Sequence, residues 1–335
     1  MSGGRTMKRF LILLTMALLL AASLAGAQTA PAPEKFLLVL NKSDNEVAFV
    51  DPASLKVVAR VPTGVGPHEA IVTADGKLAY VANYGAQTPG NSLSVIDIAA
   101  RKEVKRIDLG ALRRPHGIIE VKGNIYFTVE GNRAVARFNP QADKVDWVMG
   151  TGESVTHMVI AAKDGRRLYT SNIAGNSITM IDTQAPNPPP GVQTLKVGAG
   201  AEGIDISPTT DEIWVATRAD GNVHVVDPAS FTVKQTWVAG KFPIRVKFTP
   251  DGKRVLVSNA QGGDVVVYDA ATRKEIKRIN VGDAPIGILV QPDGKRAYIA
   301  ATQSNKVIVL DLDKLEVSGT IATGREPDGM AWAGN

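Results

Sequence analysis

The segment HEAIVTADGKLAYVANYG, residues 68–85, contains a pattern that recurs along the whole chain. A short apolar strand comes first, an Asp-Gly turn follows, and a strand with an aromatic residue completes the hairpin. Each copy continues through a polar loop and a V-x-V-x-D strand to a fourth strand. Six copies are whole, and they begin with residues 68–85, 116–131, 157–175, 202–221, 244–262 and 286–303. Four strands in about 40 to 48 residues is the size of one propeller blade.

The two ends of the repeat region supply a seventh blade. Residues 35–64 contain strands two to four without strand one, whereas residues 327–335 contain strand one alone. Pairing these ends closes the ring and leaves no free sheet edge between the first and last blades. The sequence therefore predicts an all-β, seven-bladed β-propeller with four antiparallel strands per blade, in which the N- and C-terminal strands share one blade.

The first residues of the chain predict export. Three cations precede an apolar run, and the small residues Ala25-Gly26-Ala27 form a cleavage pattern after it. We expect a signal peptide at 1–27, a flexible linker at 28–34 and a single propeller domain at 35–335. The expected location is periplasmic or secreted, with no membrane span after cleavage. An uncleaved membrane anchor is the alternative.

Composition limits the classes of partner and site. The net charge of +5 falls to about +2 without the predicted signal peptide, and aromatic residues make up only 5%. A nucleic-acid partner is therefore not expected. The absence of cysteine excludes disulfides, thiolate metal ligands and covalent haem attachment. We expect a monomer that meets a small-molecule ligand or an envelope protein.

Several motifs carry a family resemblance. AYVANYG, LYTSNIAGN, SVIDIA and the Pro-x-Gly corners with S/T-P-D-G-K turns resemble the YVTN-type β-propeller repeat proteins of bacterial envelopes. The resemblance spans residues 35–335 and implies the propeller fold. It does not decide function, because such relatives include surface, binding and enzymatic proteins, and a fold alone does not select among them.

The residue that opens each inner strand is predicted to point at the mouth of the central channel. Read from the closing blade, this ring is Asp328, His68, His116, His157, Glu202, Ile244 and Ile286. Three of the four histidines of the chain occupy this position on adjacent blades. Imidazoles with a carboxylate suit a divalent transition metal, namely Zn, Fe, Cu, Mn or Ni. The alternative is that a histidine after this corner is only a tolerated polar residue at a wet channel mouth.

These residues predict one mononuclear metal site. Its expected ligands are His68, His116, His157 and Glu202. Glu202 is also a candidate general base, and Asp328 is an alternative ligand or a second catalytic acid or base. Such a site suits a hydrolase, a lyase or an oxygenase. A non-catalytic scaffold that recognises a small ligand or a protein loop is the second hypothesis.

Residues of the neighbouring loops and strands extend the predicted site. Folding each hairpin at its turn places Asn83, Asn172 and Thr217 opposite ring positions, where they would orient the ligands; alternatively, they stabilise turns at the strand ends. Candidate substrate-binding residues are Arg113, Arg114, Tyr84 and Arg218, and Glu130 lies in the same loops. Glu69 and Arg245 are expected to turn away from the axis into the seams between blades. His224, on an outer strand, is expected to be structural.

Overall fold

The repeat folds into seven four-stranded antiparallel sheets in the computed structural model, which describes residues 35–185 and 191–334. The predictions of a signal peptide at 1–27 and a linker at 28–34 fall outside the described residues. The first strands in chain order are β1 (Phe36–Asn41), β2 (Glu46–Asp51), β3 (Lys56–Pro62), β4 (Pro67–Val72), β5 (Leu78–Gly85), β6 (Pro89–Asp97), β7 (Lys102–Asp108), β8 (Pro115–Val121), β9 (Asn124–Val129), β10 (Ala134–Asn139) and β11 (Lys144–Gly150).

The second half of the ring continues the same order. Its strands are β12 (Thr156–Ala161), β13 (Arg167–Asn172), β14 (Ser177–Asp182), β15 (Val192–Lys196), β16 (Ala201–Ile206), β17 (Ile213–Thr217), β18 (Asn222–Asp227), β19 (Thr232–Val238), β20 (Pro243–Phe248), β21 (Arg254–Asn259), β22 (Asp264–Asp269), β23 (Glu275–Asn280), β24 (Pro285–Val290), β25 (Arg296–Ala301), β26 (Lys306–Asp311), β27 (Glu316–Ala322) and β28 (Pro327–Ala333). Single 3-10 turns lie at Lys42–Asp44, Glu130–Asn132 and Thr302–Ser304. No helix of the described residues is long and apolar enough to cross a membrane.

The predicted closure of the ring is confirmed. Blade one consists of β28, β1, β2 and β3, and Phe36 at the start of β1 pairs with Ala333 at the end of β28. Blades two to seven each take the next four strands in order. The innermost strands β28, β4, β8, β12, β16, β20 and β24 contact one another in a closed circle. The two ends of the chain are thus hydrogen-bonded to each other within one sheet.

Large apolar side chains fill the space between adjacent blades. Trp214 on β17 is fully buried, and its ring meets Phe248 of the next blade at a centroid distance of 5.6 Å in an edge-to-face arrangement. Tyr169 and Tyr298 are equally buried in their own seams. Burying such a side chain stabilises a fold by about 1.5–3 kcal/mol. The aromatic positions of the repeat therefore serve the core.

Glycines let the inner strands approach one another closely at the position after the ring residue. A Cβ on Gly117 would lie 2.7 Å from Cα of Met158, and one on Gly203 would lie 2.8 Å from Cα of Arg245. Real Cβ atoms do not come so near to backbone atoms, so only glycine fits there.

Candidate metal centre

The three ring histidines converge at one end of the channel. His68, His116 and His157 lie at the starts of β4, β8 and β12, on three successive blades. The ring centroids of His68 and His116 are 5.2 Å apart, and those of His116 and His157 are 3.8 Å apart. These histidines are 48 and 41 residues apart in sequence, and they meet because each occupies the same position in its repeat.

His157 lies between two carboxylates. Its Nδ1 is 2.5 Å from Oε1 of Glu130, and its Nε2 is 3.5 Å from Oε1 of Glu202. Burial alone would lower the pKa of His157, but the contacts with Glu130 and Glu202 raise that pKa to about 9. The imidazole thus carries a positive charge at neutral pH, shared between two acids.

His116 is buried and one of its ring nitrogens lacks a partner. Nδ1 of His116 is inaccessible to solvent and makes no hydrogen bond among the described residues. Burial and the neighbouring positive charge of His157 hold the pKa of His116 well below its ordinary value of 6.5. The ring is therefore neutral and has a lone pair on one nitrogen.

His68 is held through one of its two ring nitrogens. Its Nδ1 is 2.8 Å from the carbonyl oxygen of Gly66, and because a carbonyl only accepts, Nδ1 carries the proton. Burial lowers the pKa of His68, so the ring is neutral and Nε2 keeps its lone pair. The ring of Tyr84 packs against His68 at a centroid distance of 4.5 Å and fixes its orientation.

One compact group of possible metal ligands exists among the described residues. It consists of His116, Glu130 and His157, whose ligand atoms all lie within 4.8 Å of one another. Two of these residues were predicted ligands, and Glu130 was named only as a residue of the same loops. Glu130 follows β9 directly, where the 3-10 turn Glu130–Asn132 turns its side chain toward the next blade. The signal was an acid at the end of a second strand, one blade before His157.

Both predicted catalytic acids form ion pairs. Oε2 of Glu202 accepts a hydrogen bond of 2.6 Å from Nη1 of Arg218, and Oδ2 of Asp328 is 3.1 Å from Nζ of Lys42. Burial alone would raise the pKa of Glu202, but His157 and Arg218 lower it below its ordinary value. Burial opposes ionisation of Asp328 too, yet Lys42 and other cations lower its pKa. Both acids are thus ionised.

The predicted pairing of Asn83, Asn172 and Thr217 with ring residues is wrong by one position. Asn83 pairs with Pro67, Asn172 with Thr156 and Thr217 with Ala201, because the inner strands bulge at the ring position. Their side chains bind within their own blades. Asn83 donates to Ser92 and Ser94, Asn172 donates to Ser177 and Thr179, and Thr217 bonds to Asp220 and His224.

The same bulge corrects the prediction for Glu69 and Arg245. These residues face the channel, where Nη2 of Arg245 on β20 donates to Oε1 of Glu69 on β4 at 2.7 Å. Nη1 of Arg245 contacts Sδ of Met158 on β12 at 3.1 Å. Side chains from blades two, four and six thus meet across the axis. A bulge changes which face of a strand each following side chain takes, and simple alternation misses this.

The predicted substrate-binding residues separate into two groups. Tyr84 donates a hydrogen bond of 2.6 Å to Oε2 of Glu130, and the guanidinium of Arg114 lies 4.7 Å from the centroid of the Tyr84 ring. Arg218 contacts the ring residues at the channel mouth through its hydrogen bond to Glu202. Arg113 is exposed, and its described hydrogen bonds are made by its backbone. His224 lies on β18 between the hydroxyls of Thr217 and Thr236, as expected of a structural histidine.

Comparison with known proteins agrees with this architecture. A family model described as YNCE-like beta-propeller matches residues 21–124, which include β1 to β7 and the start of the next blade. This partial match supports the resemblance to the YVTN-type repeat propellers. A search of curated proteins finds no match to this propeller.

Similar solved structures share the fold of this propeller. A chain of Kuenenia stuttgartiensis hydrazine synthase has a TM-score of 0.72 at 21% identity, and the match covers 86% of this chain and 98% of that one. A candidate 6-phosphogluconolactonase from Bacteroides uniformis has a TM-score of 0.73 at 15% identity, over 89% and 99% of the two chains. Another from Bacteroides fragilis has the same score and identity, over 91% and 99%. Identities this low show the fold alone.

Proposed function

We propose that this propeller binds one divalent transition metal at the channel mouth, between His116 and His157. The observation that carries the proposal is the unpartnered Nδ1 of the buried, neutral His116 beside two further imidazoles and two carboxylates. A buried polar atom without a partner costs about 1–3 kcal/mol, and a bound cation would remove that cost. Neutral imidazoles with a carboxylate are typical ligands of Zn and its neighbours, and His157, which is protonated in the metal-free chamber, would release its Nε2 proton when the metal binds.

The two contacts of His157 suggest different roles for its two carboxylates. Ligand atoms that share a tetrahedral ion at about 2.0–2.1 Å lie about 3.3 Å apart. The 3.5 Å between Nε2 and Glu202 fits such an edge, whereas the 2.5 Å between Nδ1 and Glu130 is a hydrogen bond. In the proposed site Glu202 is therefore a ligand, and Glu130 orients His157 from its other nitrogen.

His68, whose Nε2 has a lone pair, is the proposed fourth ligand. His68 and Glu202 lie outside the compact group of His116, Glu130 and His157, so both would move toward a bound ion to complete the ligand set His68, His116, His157 and Glu202 that the sequence predicts. A metal there would supply a Lewis acid, and Asp328 would stay in its ion pair with Lys42 near the chamber. Hydrolase, lyase or oxygenase activity belongs to this proposal, and Arg114 and Arg218 are its nearest candidate substrate-binding groups.

Zinc titration of chelator-treated protein tests the proposal. We expect one high-affinity site per chain by calorimetry. Glu202→Gln should remove it, whereas Glu130→Gln should weaken it by about 10–100-fold, because a glutamine oxygen still accepts from Nδ1. His224→Gln, a histidine outside the chamber, is the matched control. Loss of affinity in the control, or full affinity in Glu202→Gln, would contradict the proposed ligand set.

A binding scaffold without a metal is the second candidate function. Each buried charge of the chamber already has an opposite partner, namely Glu130 with His157, Glu202 with Arg218 and Asp328 with Lys42. This balance favours recognition of a polar small ligand or of a loop from an envelope protein. Absence of metal binding in the wild-type titration would favour this candidate.

The proposal also includes the cellular context. Export rests on the charged, apolar and small-residue segments of residues 1–27, and cleavage after Ala27 would release a periplasmic or secreted monomer. N-terminal sequencing of the exported protein should begin at Gln28, and size-exclusion chromatography with light scattering should give one chain. A mature protein that retains the apolar run would contradict cleavage.

A further inference from the structure

The channel contains a second chamber below the histidines. A cavity of about 470 Å³ is lined by residues of all seven inner strands, and Glu69, Met158 and Arg245 close one end of it. None of the three ring histidines lines this cavity. The Arg245–Glu69 contact therefore separates it from the proposed metal centre, and the cavity extends toward Val72 and Trp332 at the other ends of the inner strands.

The walls of this lower chamber are more apolar than polar, and Glu120, Asp205 and Lys247 also line it. Ile118, Ile204 and Ile288 come from three different blades, and the indole of Trp332 lies among the lining side chains. Pockets that hold small molecules are commonly about 300–1,000 Å³ and apolar, with a few polar groups that fix orientation. The volume and the lining both fit that description.

Arg245 is the polar group at the closed end, and its donors are not satisfied. A guanidinium has five N–H groups. Among the described residues, one of them reaches an oxygen, on Glu69, and another meets only the thioether of Met158. Nε has no partner in the described part of the chain, although the Arg245 side chain is only 7% exposed. A buried cation with spare donors at the end of an apolar cavity favours a ligand that brings an acceptor.

The charges around Arg245 decide which acceptor fits. Glu69 lies 2.7 Å from Nη2 and Asp328 lies 3.9 Å from it, so two acids already surround one guanidinium. Lys42 compensates the second acid. A further carboxylate would meet both acids, whereas a neutral carbonyl or hydroxyl oxygen would not.

We propose that the lower chamber binds a small neutral aliphatic molecule with one acceptor oxygen, such as a ketone, an ester or an alcohol, and that Arg245 donates to that oxygen. Its carbon chain lies against the isoleucine walls. The site is distinct from the metal centre and does not depend on it.

Hexanone, hexane and hexanoate are the probes that test this site, in chelator-treated protein so that the result is independent of metal binding. Binding is followed by intrinsic fluorescence, and loss of the change in Trp332→Phe assigns it to the chamber. Hexanone should bind at least about tenfold more tightly than hexane, because a hydrogen bond from a charged donor is worth at least that factor. Hexanoate should bind more weakly than hexanone.

Two variants report on the two halves of the proposal. Val72→Phe narrows the chamber and should weaken hexanone binding, whereas Val148→Phe, the same change on the exposed face of β11, should not. Glu69→Gln/Arg245→Met removes both partners together and should abolish the preference for hexanone over hexane. No binding of hexanone by the wild type, equal binding in Val72→Phe, or an unchanged preference in the double variant would each overturn the proposal.

Discussion

The ion pair that crosses the channel gives the sharpest prediction for stability. Arg245 and Glu69 lie on opposite sides of the ring, 2.7 Å apart, with side chains 7% and 13% exposed. Removal of one partner of a buried pair costs about 3–5 kcal/mol, because the other charge stays buried without compensation. Arg245→Met leaves Glu69 uncompensated and deprives Asp328 of a nearby cation, so we expect a loss in this range.

Substitution of the other partner, Glu69, should cost less stability. In Glu69→Gln, Arg245 still has Asp328 at 3.9 Å and an amide oxygen in place of the carboxylate. We expect a loss of about 1–3 kcal/mol. The double variant Glu69→Gln/Arg245→Met removes both charges and should be more stable than Arg245→Met alone, since no isolated charge remains.

Urea unfolding followed by circular dichroism measures these differences by linear extrapolation. Arg106→Met is the matched control, because Arg106 makes a bidentate ion pair with Glu103 on the exposed outer strand β7. Such exposed pairs are worth about 1 kcal/mol or less. Equal losses for Arg245→Met and Arg106→Met, or a double variant that loses the sum of the two single losses, would refute the reasoning.

Three further predictions follow from single contacts. Tyr84→Phe keeps the ring against His68 but removes the hydrogen bond to Glu130, so zinc affinity should fall by about 10–100-fold; unchanged affinity in a competition titration would contradict this. Burial lowers the pKa of His224 below 6.5, so the unfolded chain takes up a proton at this residue more readily than the folded protein, and stability falls as the pH drops through about 6.5. His224→Gln should reduce this loss of stability in acid, measured by urea titrations at several pH values. An identical pH dependence in the variant would contradict the prediction. Gly203→Ala should cost about 1–3 kcal/mol or more through overpacking, whereas Gly150→Ala, with open space around it, should cost little; equal melting temperatures of the two variants would count against the close approach.

The repeat frame made the fold predictable from sequence. Strand count, blade count and closure of Phe36 onto the C-terminal strand all follow from alternation and turn signals that recur at a fixed spacing. The same frame brought His68, His116 and His157 to one end of the axis. These features depend only on which residues occupy equivalent positions.

Features that depend on local departures from the frame were not predictable in this way. The bulge after Pro67 and its equivalents shifts the register by one residue, which turned Asn83 away from His68 and Arg245 toward the axis. Glu130 reaches His157 from the 3-10 turn that follows its strand, and its one signal in the sequence was an acid at the end of a second strand. Bulges and turns of this kind are decided by packing between blades.

A crystal structure of zinc-loaded protein, with anomalous diffraction measured at the zinc edge, tests the central claim most directly. We predict one anomalous peak per chain at the channel mouth, about 2.0–2.1 Å from a ring nitrogen of His116 and from Nε2 of His157, with Glu130 still on Nδ1. A chamber without a peak, with His157 still held between Glu130 and Glu202, would contradict the claim.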